Sequence, residues 1–290
     1  MFQSLRWERV QELSSFKATD PDRPLNASHQ RGVHALADVV EGLARWPLWV
    51  RLGWNDILQR YRRSVFGPFW LTASMAIMVV SLGVIYSELF NQPVDDFLPY
   101  FCVGLLVWNL LSGYLTEGGS LFTGSESYIK QIRLPFSVYV YRSSWAKLII
   151  FAHNFVIYIG VMIYFQKWVG IASLLALPGL VLVMLNGTVA SLTIGVISAR
   201  FRDVPQVVNS IVQVLFFITP IFWKPDSLKR HVYITEYNPF FHLVEVVRSP
   251  LLGNMPSSTN YAAVLLLTLV NLAIAGAFFT RFRSRIAYWI

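Results

Sequence analysis

Charged residues divide this 290-residue chain into six long uncharged runs that are rich in Leu, Val, Ile and Phe. Each run is near or above the roughly 20 residues that a helix needs to cross a membrane. Helices are expected, because backbone polar groups in lipid must find hydrogen-bond partners within their own segment. The pattern therefore predicts an all-α membrane protein with six transmembrane helices. The six runs are 64–87, 97–116, 148–166, 168–199, 204–223 and 254–280.

The composition agrees with a membrane protein. Hydrophobic residues make up 55% of the chain and charged residues 14%, and the mean hydropathy is +0.49. The formal charge of +8 does not indicate nucleic-acid binding, because no segment is long enough for a soluble domain that would carry a basic surface. Cys102 is the only cysteine, so no intrachain disulfide can form. The five histidines show no metal-ligand spacing, and we predict no metal site.

Lysine and arginine are distributed unevenly between the loops. With six spans, the basic segments 45–63, 130–147, 200–202 and 281–285 all fall on one side. The positive-inside rule then predicts that both termini are cytoplasmic. The loop 224–253 would lie outside, yet it carries four basic residues. We interpret it as a structured external element, since the rule applies best to short, plain loops.

The N-terminal residues outside the spans fall into two parts. Residues 1–32 are polar and predict a mobile cytoplasmic tail. Within 33–63, Leu36, Val40 and Leu43 recur on one helical face, and tryptophans are frequent. We interpret 33–63 as amphipathic interfacial helices on the cytoplasmic leaflet. A small helical hairpin that packs on other protein is the alternative. The remainder, 64–290, is the predicted transmembrane domain.

Two further segments are too short or too polar to span. The segment 115–133 predicts a short cytoplasmic helix that stands off the membrane, and such a helix can dock into a partner's groove. The alternative is a connector that packs back on the bundle. Between the fifth and sixth runs, Asn238 and Pro239 open a helical pattern that Pro250 and Gly253 close. We predict an outer re-entrant helix there, or one lying on the surface, with its backbone shielded by protein.

Sequences typical of catalysis are absent. The chain has no G-x-x-x-x-G-K-[ST] motif, so it cannot bind ATP in the P-loop manner, and it has no H-E-x-x-H and no Cys-x-x-Cys. No catalytic residue is predicted. His153 and Asn154 form a polar pair deep in the third run. Interhelical hydrogen bonding is the simpler interpretation of this pair, and a functional role is the alternative.

Four groups of residues, which follow one another along the chain, resemble the sequences of a known family. The run RYRRSVFGPFW at 60–70 resembles the start of the first helix in type-2 ABC-exporter permeases for polysaccharides. The other matching groups are YIK at 128–130 with RLP at 133–135, RDV at 202–204 with TPIF at 219–222, and NPF at 238–240 with Glu245, Arg248 and LLG at 251–253. The resemblance extends from about residue 45 to the C-terminus and does not include the tail.

The resemblance implies a permease in the bacterial cytoplasmic membrane that exports a lipid-linked polysaccharide, such as O-antigen or capsule. Such permeases form a homodimer and pair with two copies of a separate ATPase, which binds ATP and Mg²⁺. The glycan would be linked to undecaprenyl or another lipid. The missing P-loop agrees with this arrangement. A teichoic-acid exporter and a membrane enzyme acting on lipid-linked sugars are the alternatives.

Site residues follow from this interpretation. Aromatic faces stack on sugar rings, so we predict Trp70, Tyr100, Trp108 and Tyr114 along the substrate path, with ordinary packing as the alternative. Guanidinium groups bind phosphate oxygens in a bidentate manner. The arginines just before the first span, Arg60, Arg62 and Arg63, are therefore candidates for a contact with the lipid pyrophosphate, unless they only set the topology.

Two more groups are assigned to partner coupling and to the outer segment. In the predicted cytoplasmic helix, Leu121, Phe122 and Tyr128 would be anchors in an ATPase cleft. Glu126 and Lys130 would lie on the rim. In the predicted re-entrant segment, the resemblance singles out Asn238, Pro239, Glu245 and Arg248.

Overall fold

The structure is a computed structural model that describes residues 27–60, 62, 67, 69–167, 170–225 and 233–290. All regular elements in these residues are helical, as predicted. The α-helices are α1 (Ala27–Ala44), α2 (Trp46–Arg60), α3 (Phe69–Leu89), α4 (Val94–Gly118), α5 (Glu126–Gln131), α6 (Phe136–Tyr164), α7 (Ala176–Arg200), α8 (Val204–Ile218), α9 (Tyr233–Glu236), α10 (Pro239–Leu251), α11 (Ser258–Phe282) and α12 (Ile286–Trp289).

Five helical segments of the described chain are long and apolar enough to cross a bilayer. They are Phe69–Leu89, Val94–Gly118, Phe136–Tyr164, Ile171–Arg200 and Ser258–Trp289. Ile171–Arg200 is α7 with a preceding 3₁₀ turn, and Ser258–Trp289 is α11 with the short helices that follow it. At about 1.5 Å per residue, each reaches the roughly 30 Å of the hydrocarbon core. The protein is therefore a multi-pass membrane protein.

The remaining predicted span, 204–223, differs from a simple helix. Its helical part, α8, has 15 residues and is about 22 Å long. The helix ends at Ile218 because the residue before Pro220 is restricted to extended backbone, and Thr219 has φ −81° and ψ 132°. The irregular residues Thr219, Pro220 and Ile221 are buried inside the protein. Irregular backbone is tolerated at membrane depth only where protein shields it.

Helix α4 lies at the centre of the bundle and packs against α3, α6, α7, α8 and α10. Small residues allow the closest approaches to α7. A Cβ on Gly187 would lie 2.2 Å from the Tyr114 ring, and a Cβ on Gly179 would lie 2.2 Å from the Val246 carbonyl oxygen of α10. Without a hydrophobic driving force between helices in lipid, such backbone-close packing holds membrane bundles together.

Helix α1 is joined to the bundle by a buried carboxylate. Asp38 accepts hydrogen bonds from the backbone N–H groups of Phe136 and Ser137, at 3.1 and 2.9 Å, and so caps the N-terminus of α6. Arg283 Nε donates to the same carboxylate at 2.6 Å. The start of α6 is thereby connected both to α1 and to the chain that follows α11.

The N-terminal helices agree only in part with the predicted bounds. Helix α1 begins at Ala27 rather than near residue 33, so residues 27–32 are helical and not part of a tail, while residues 1–26 lie outside the described residues. Leu36, Val40 and Leu43 are exposed together on the side away from Asp38. Contact of this apolar face with lipid stays a prediction.

Candidate functional site

Helices α3, α4 and α8 form an open groove of about 700 Å³. Helix α4 provides the floor, with α3 on one side and α8 on the other. Polar side chains line both the floor and the α8 wall, although α3 and α4 are long and apolar enough to cross a bilayer and α8 is a shorter apolar helix. These polar residues are Asn109, Ser112 and Thr116 on α4, and Asn209 and Gln213 on α8.

Helix α8 has three distinct faces. Val212 is buried against the bundle. A second, exposed face is apolar and carries Val207, Ile211 and Val214. The third face is polar and also exposed, and its residues Gln206, Asn209, Ser210 and Gln213 recur at the three- and four-residue spacing of one helical stripe. Polar residues inside a membrane usually face other protein or a water-filled cavity rather than lipid. The polar stripe is therefore the face of α8 that suits contact with other protein or with water.

Aromatic rings pack together at the Phe217 end of the groove. Trp108 lies 5.8 Å from Phe216 and 5.8 Å from Phe240, measured between ring centroids. Phe216 and Phe217 lie 5.4 Å apart. Trp108, Phe216 and Phe217 also line the groove. The groove thus has a polar middle and a rigid aromatic end.

A buried arginine fixes the irregular segment after α8. Arg248 on α10 is 0% exposed. Its Nη1 donates to the Pro220 carbonyl oxygen at 2.8 Å, and its guanidinium forms an ion pair with Glu245. The guanidinium also lies over the Tyr100 ring at 3.9 Å, and the Tyr100 hydroxyl donates to the Trp223 carbonyl oxygen at 3.2 Å. These contacts satisfy backbone carbonyls that would otherwise be open.

The segment after α4 turns back onto the bundle. Phe122 packs edge-on against Phe136, with ring centroids 5.9 Å apart, in a buried cluster that includes Val196 and Ile286. Helix α5 follows, and there Lys130 Nζ donates to Glu126 at 2.6 Å and to the Ile290 carbonyl oxygen at 3.0 Å. The hydrogen bond from Lys130 lowers the pKa of the Glu126 carboxyl.

Comparison with known proteins identifies the family. Residues 47–252, which include the groove and Arg248, match the family described as ABC-2 type transporter. The chain belongs to this family. Membership makes the protein a membrane transport subunit and implies an ABC ATPase as its partner.

Curated relatives of this ABC-2 transporter carry a common name. Two proteins from Klebsiella pneumoniae, each named O-antigen export system permease protein RfbA, are 24% and 22% identical to it. These alignments cover 76% and 80% of this chain and 87% and 91% of the relatives. A Myxococcus xanthus protein of the same name is 21% identical, over 63% of this chain and 70% of the relative.

The four aromatic residues predicted along a substrate path lie in different places. Trp108 lines the groove. Trp70 is 52% exposed at the start of α3 and lines a neighbouring cleft. Tyr100 belongs to the Arg248 site instead. Tyr114 is 1% exposed and packs against Gly187, so the structure does not support a lining role for it. The roles of Trp70 and Trp108 on a path stay predictions.

The predicted ATPase anchors need a correction. Leu121 and Phe122 are buried in this chain's own packing, so neither can fill a cleft on another protein. Their apolar spacing reflects contact with the bundle, which was the alternative interpretation of the segment. Tyr128 is 44% exposed and Glu126 is partly exposed, so these two remain accessible to a partner.

Two predicted groups remain, the residues of the outer segment and the arginines before α3. Asn238 accepts from the Phe240 N–H as the N-cap of α10, and Pro239 is the first residue of that helix. The partly buried Glu245 pairs with the buried Arg248. The residues that the family resemblance singled out in this segment therefore lie together in the fold. Of the arginines, Arg62 is exposed, and Arg63 and the Arg60 side chain lie outside the described residues. Their contact with a phosphate stays a prediction.

The polar groove residues were missed by the sequence argument. Counting charges treats Asn, Gln, Ser and Thr as part of an uncharged run. A usable signal was nevertheless present, because polar residues recur at helical spacing within two otherwise apolar runs. These residues are Asn109, Ser112 and Thr116 in the second run, and Gln206, Asn209, Ser210 and Gln213 in the fifth.

Proposed function

We propose that this ABC-2 transporter is the permease subunit of an exporter that moves a lipid-linked polysaccharide, of O-antigen or capsule type, across the bacterial cytoplasmic membrane. A separate ATPase subunit drives the transport. The observation that carries the proposal is the groove between α3 and α8. It exposes a stripe of uncharged polar side chains beside aromatic rings in a membrane-spanning segment. Such a surface suits a hydroxyl-rich polymer better than an ion, for which charged ligands would be expected.

The names of the relatives support the same substrate class. All three are O-antigen export permeases, and the two Klebsiella pneumoniae alignments cover 87% and 91% of those proteins. The resemblance therefore extends over nearly the whole of a polysaccharide permease. It does not depend on a single shared motif.

The topology that fits this function has six spans. Helix α8 with the buried residues 219–221 and the two residues that follow completes the fifth crossing, and α10 re-enters from the outer side. Both termini are then cytoplasmic. The four basic residues of the outer loop are an exception to the positive-inside rule. The burial of Arg248 makes this exception smaller, because one of the four is then not a loop charge. An arginine that is paired with Glu245 inside the protein is a structural group and not a topology signal.

Transport requires a second copy of the chain. The groove is open, and its polar stripe on α8 is exposed in a single chain. A two-fold axis would place the same groove of each copy on a common path and cover both polar stripes at once. The substrate would then pass between the two copies, past Trp108 and the aromatic rings at the Phe217 end.

The ATPase and the lipid carrier would meet the permease on the cytoplasmic side. Helix α5 is tied to the bundle through Phe122 on one side and through Lys130 and Ile290 on the other. A displacement of α5 by an ATPase at Tyr128 would therefore reach α6 and the end of the chain. The arginines at 60, 62 and 63 precede α3, where the phosphates of a carrier lipid would be expected.

Deleting the gene tests the function directly. We expect the deletion strain to lose its surface polysaccharide and to accumulate the lipid-linked glycan in the cytoplasmic leaflet. Immunoblots of intact cells and extraction of the lipid-linked glycan measure the two quantities. Normal surface polysaccharide in the deletion strain would refute the proposal.

Variants of the groove test the path. In Asn209→Leu/Gln213→Leu the polar stripe becomes apolar, and we expect export to fall strongly while the protein stays in the membrane. The matched control is Val207→Leu/Val214→Leu, which changes exposed apolar residues of the same helix. Equal export by both double variants would show that the stripe does not line the path.

A further inference from the structure

A second polar cleft lies on the other side of α3. It is bounded by α3, α4 and α6 and has a volume of about 420 Å³. Met75, Met78 and Asn109 line both this cleft and the groove, so α3 separates the two spaces. The α6 wall of the cleft carries Lys147 and Asn154.

Asn154 has an unusual position for an amide. It is 4% exposed, and its Oδ1 has no hydrogen-bond partner among the described residues. It lies about 15 Å from the Tyr164 end of α6, well inside the thickness of the hydrocarbon core. An amide oxygen without a partner is costly in an apolar medium. We predicted interhelical hydrogen bonding for His153 and Asn154, and this oxygen makes no such bond within the described residues. A partner for it would come from the cleft.

An ion pair forms the other end of the cleft. The side chain of Lys147 is 5% exposed, and its ammonium pairs with Glu117 in the last turn of α4. Its aliphatic part lies along Gly113, where a Cβ would be 3.1 Å from Lys147 Cδ. The long side chain thus runs along α4 and brings its charge toward the helix end. Charged groups at such sites mark water-filled or substrate-bearing cavities.

We propose that this cleft is a hydrated binding site for sugar hydroxyl groups of the exported glycan, separate from the groove on the α8 side. The inference rests on the proposed function. A hydroxyl group both donates and accepts, and the cleft offers both kinds of partner. Asn154 Oδ1 and the Glu117 carboxylate accept, the Lys147 ammonium donates, and the Trp70 ring supplies an aromatic face at the start of α3.

A phosphate headgroup fits this cleft less well. The charge of Lys147 is already balanced by Glu117, so an anion would gain little net attraction. The unpaired oxygen of Asn154 requires a donor, and a phosphodiester has none. Sugar hydroxyl groups meet both conditions.

Hydration is tested with single cysteines in the permease–ATPase complex in nanodiscs. Asn154→Cys reports on the cleft, and Ser74→Cys is a second reporter on α3 in case the first variant folds poorly. Val156→Cys is the matched control, because Val156 is exposed on the same helix outside the lining of the cleft. The native Cys102 is buried and should give little background.

The probe is a charged, membrane-impermeant methanethiosulfonate, which reacts with the thiolate. We expect the cleft cysteines to react about tenfold faster than Cys at 156, since a thiol in lipid does not ionise. Equal rates at 74, 154 and 156 would mean that the cleft is dry and would overturn the proposal.

Occupancy is tested in inverted membrane vesicles from two strains, one that makes the lipid-linked glycan and one that lacks the enzyme starting its synthesis. We expect severalfold slower labelling of the cleft cysteines when the glycan is present and no change at position 156. Equal rates in both strains would leave a site for water only. Slowing by phosphatidylglycerol relative to phosphatidylcholine in glycan-free nanodiscs would indicate a lipid headgroup. Either result overturns this inference, while the gene deletion tests the export function separately.

Discussion

Helices α4 and α3 are neighbours in the bundle, yet they are packed very differently. In α4, 72% of the most apolar 18-residue stretch is buried, compared with 17% in α3. The same contrast holds for polar groups. Arg248, beside α4, is fully paired inside the chain, whereas Asn209 and Gln213 on α8 are exposed in a single chain.

The difference indicates a rigid scaffold around α4 and a binding surface formed by α3 and α8. Helices α4, α7 and α10 meet through close glycine contacts, which allow little displacement. Helices α3 and α8 hold to this scaffold along narrow faces. Elements with few buried contacts open and move most easily, as binding surfaces must. Substitutions in the scaffold should therefore reduce the amount of folded protein. Substitutions on α3 and α8 should reduce transport.

The largest effect is expected at Arg248. Arg248→Met leaves Glu245 without its cation and removes the guanidinium hydrogen bond to the Pro220 carbonyl oxygen, which keeps only the longer one from the Tyr100 hydroxyl. Breaking a buried ion pair by removing one partner costs about 3–5 kcal/mol. We expect little folded protein in the membrane and a lowered melting temperature of what remains.

The double variant Glu245→Leu/Arg248→Met is the control for this prediction. It removes both charges, and apolar replacement of a buried pair is often neutral. Part of the stability should return. Wild-type stability of Arg248→Met alone would show that the pair does not hold the segment after α8.

Phe122 should come next. Phe122→Ala removes a fully buried ring from its contact with Phe136 and costs about 3–5 kcal/mol. Tyr128→Ala removes a half-exposed ring and should cost much less. We expect the first variant to lower the melting temperature and the second to reduce copurification of the ATPase. The reverse outcome, with a stable Phe122→Ala that loses the ATPase, would restore Phe122 as a docking anchor.

Much of the fold was predictable because lipid imposes a simple rule. Uncharged runs located the five long helices, and Asn238 with Pro239 and Pro250 with Gly253 located the two ends of α10. The start of α1 at Ala27 was missed, because its first residues, Ala, Ser, His and Gln, carry no apolar period. What fixes α1 is Asp38 at the N-terminus of α6, a contact across 98 sequence positions that no local pattern reveals.

The site was less predictable for a related reason. Aromatic residues are common both in a core and beside a cavity. The sequence therefore does not distinguish Tyr114 from Trp108, although only Trp108 lines the groove. The same holds for Phe122 and Tyr128. Only their exposed fractions in the structure show that Phe122 packs on the bundle and that Tyr128 is accessible to a partner. Polar residues in apolar runs were the better signal, since lipid tolerates few of them.

A smaller effect on stability, but a clear effect on assembly, is expected from cysteines on α8. Gln213→Cys places a thiol on the polar stripe, and oxidation should link two copies across the proposed two-fold axis. Val214→Cys is the control, because it lies about 100° around the same helix on the exposed apolar face. Non-reducing gels of membranes measure the linked dimer. A dimer formed at 214 and not at 213 would mean that the copies meet through the apolar face.

The smallest effect is expected at Lys130, the exposed counterpart of Arg248. Its pair with Glu126 lies at the surface, where water screens the charges and most such pairs contribute almost nothing. Lys130→Ala should leave folding unchanged at neutral pH and should reduce export much less than Tyr128→Ala. Because Lys130 lowers the pKa of the Glu126 carboxyl, any contribution of the pair is present above the ordinary pKa of a glutamate and is lost as the pH falls through the lowered value. Melting temperatures of wild type, Lys130→Ala and Glu126→Gln should therefore be close at neutral pH and converge in acid. A loss of stability comparable to that of Arg248→Met would show that the hydrogen bond from Lys130 to Ile290 holds the end of the chain in place.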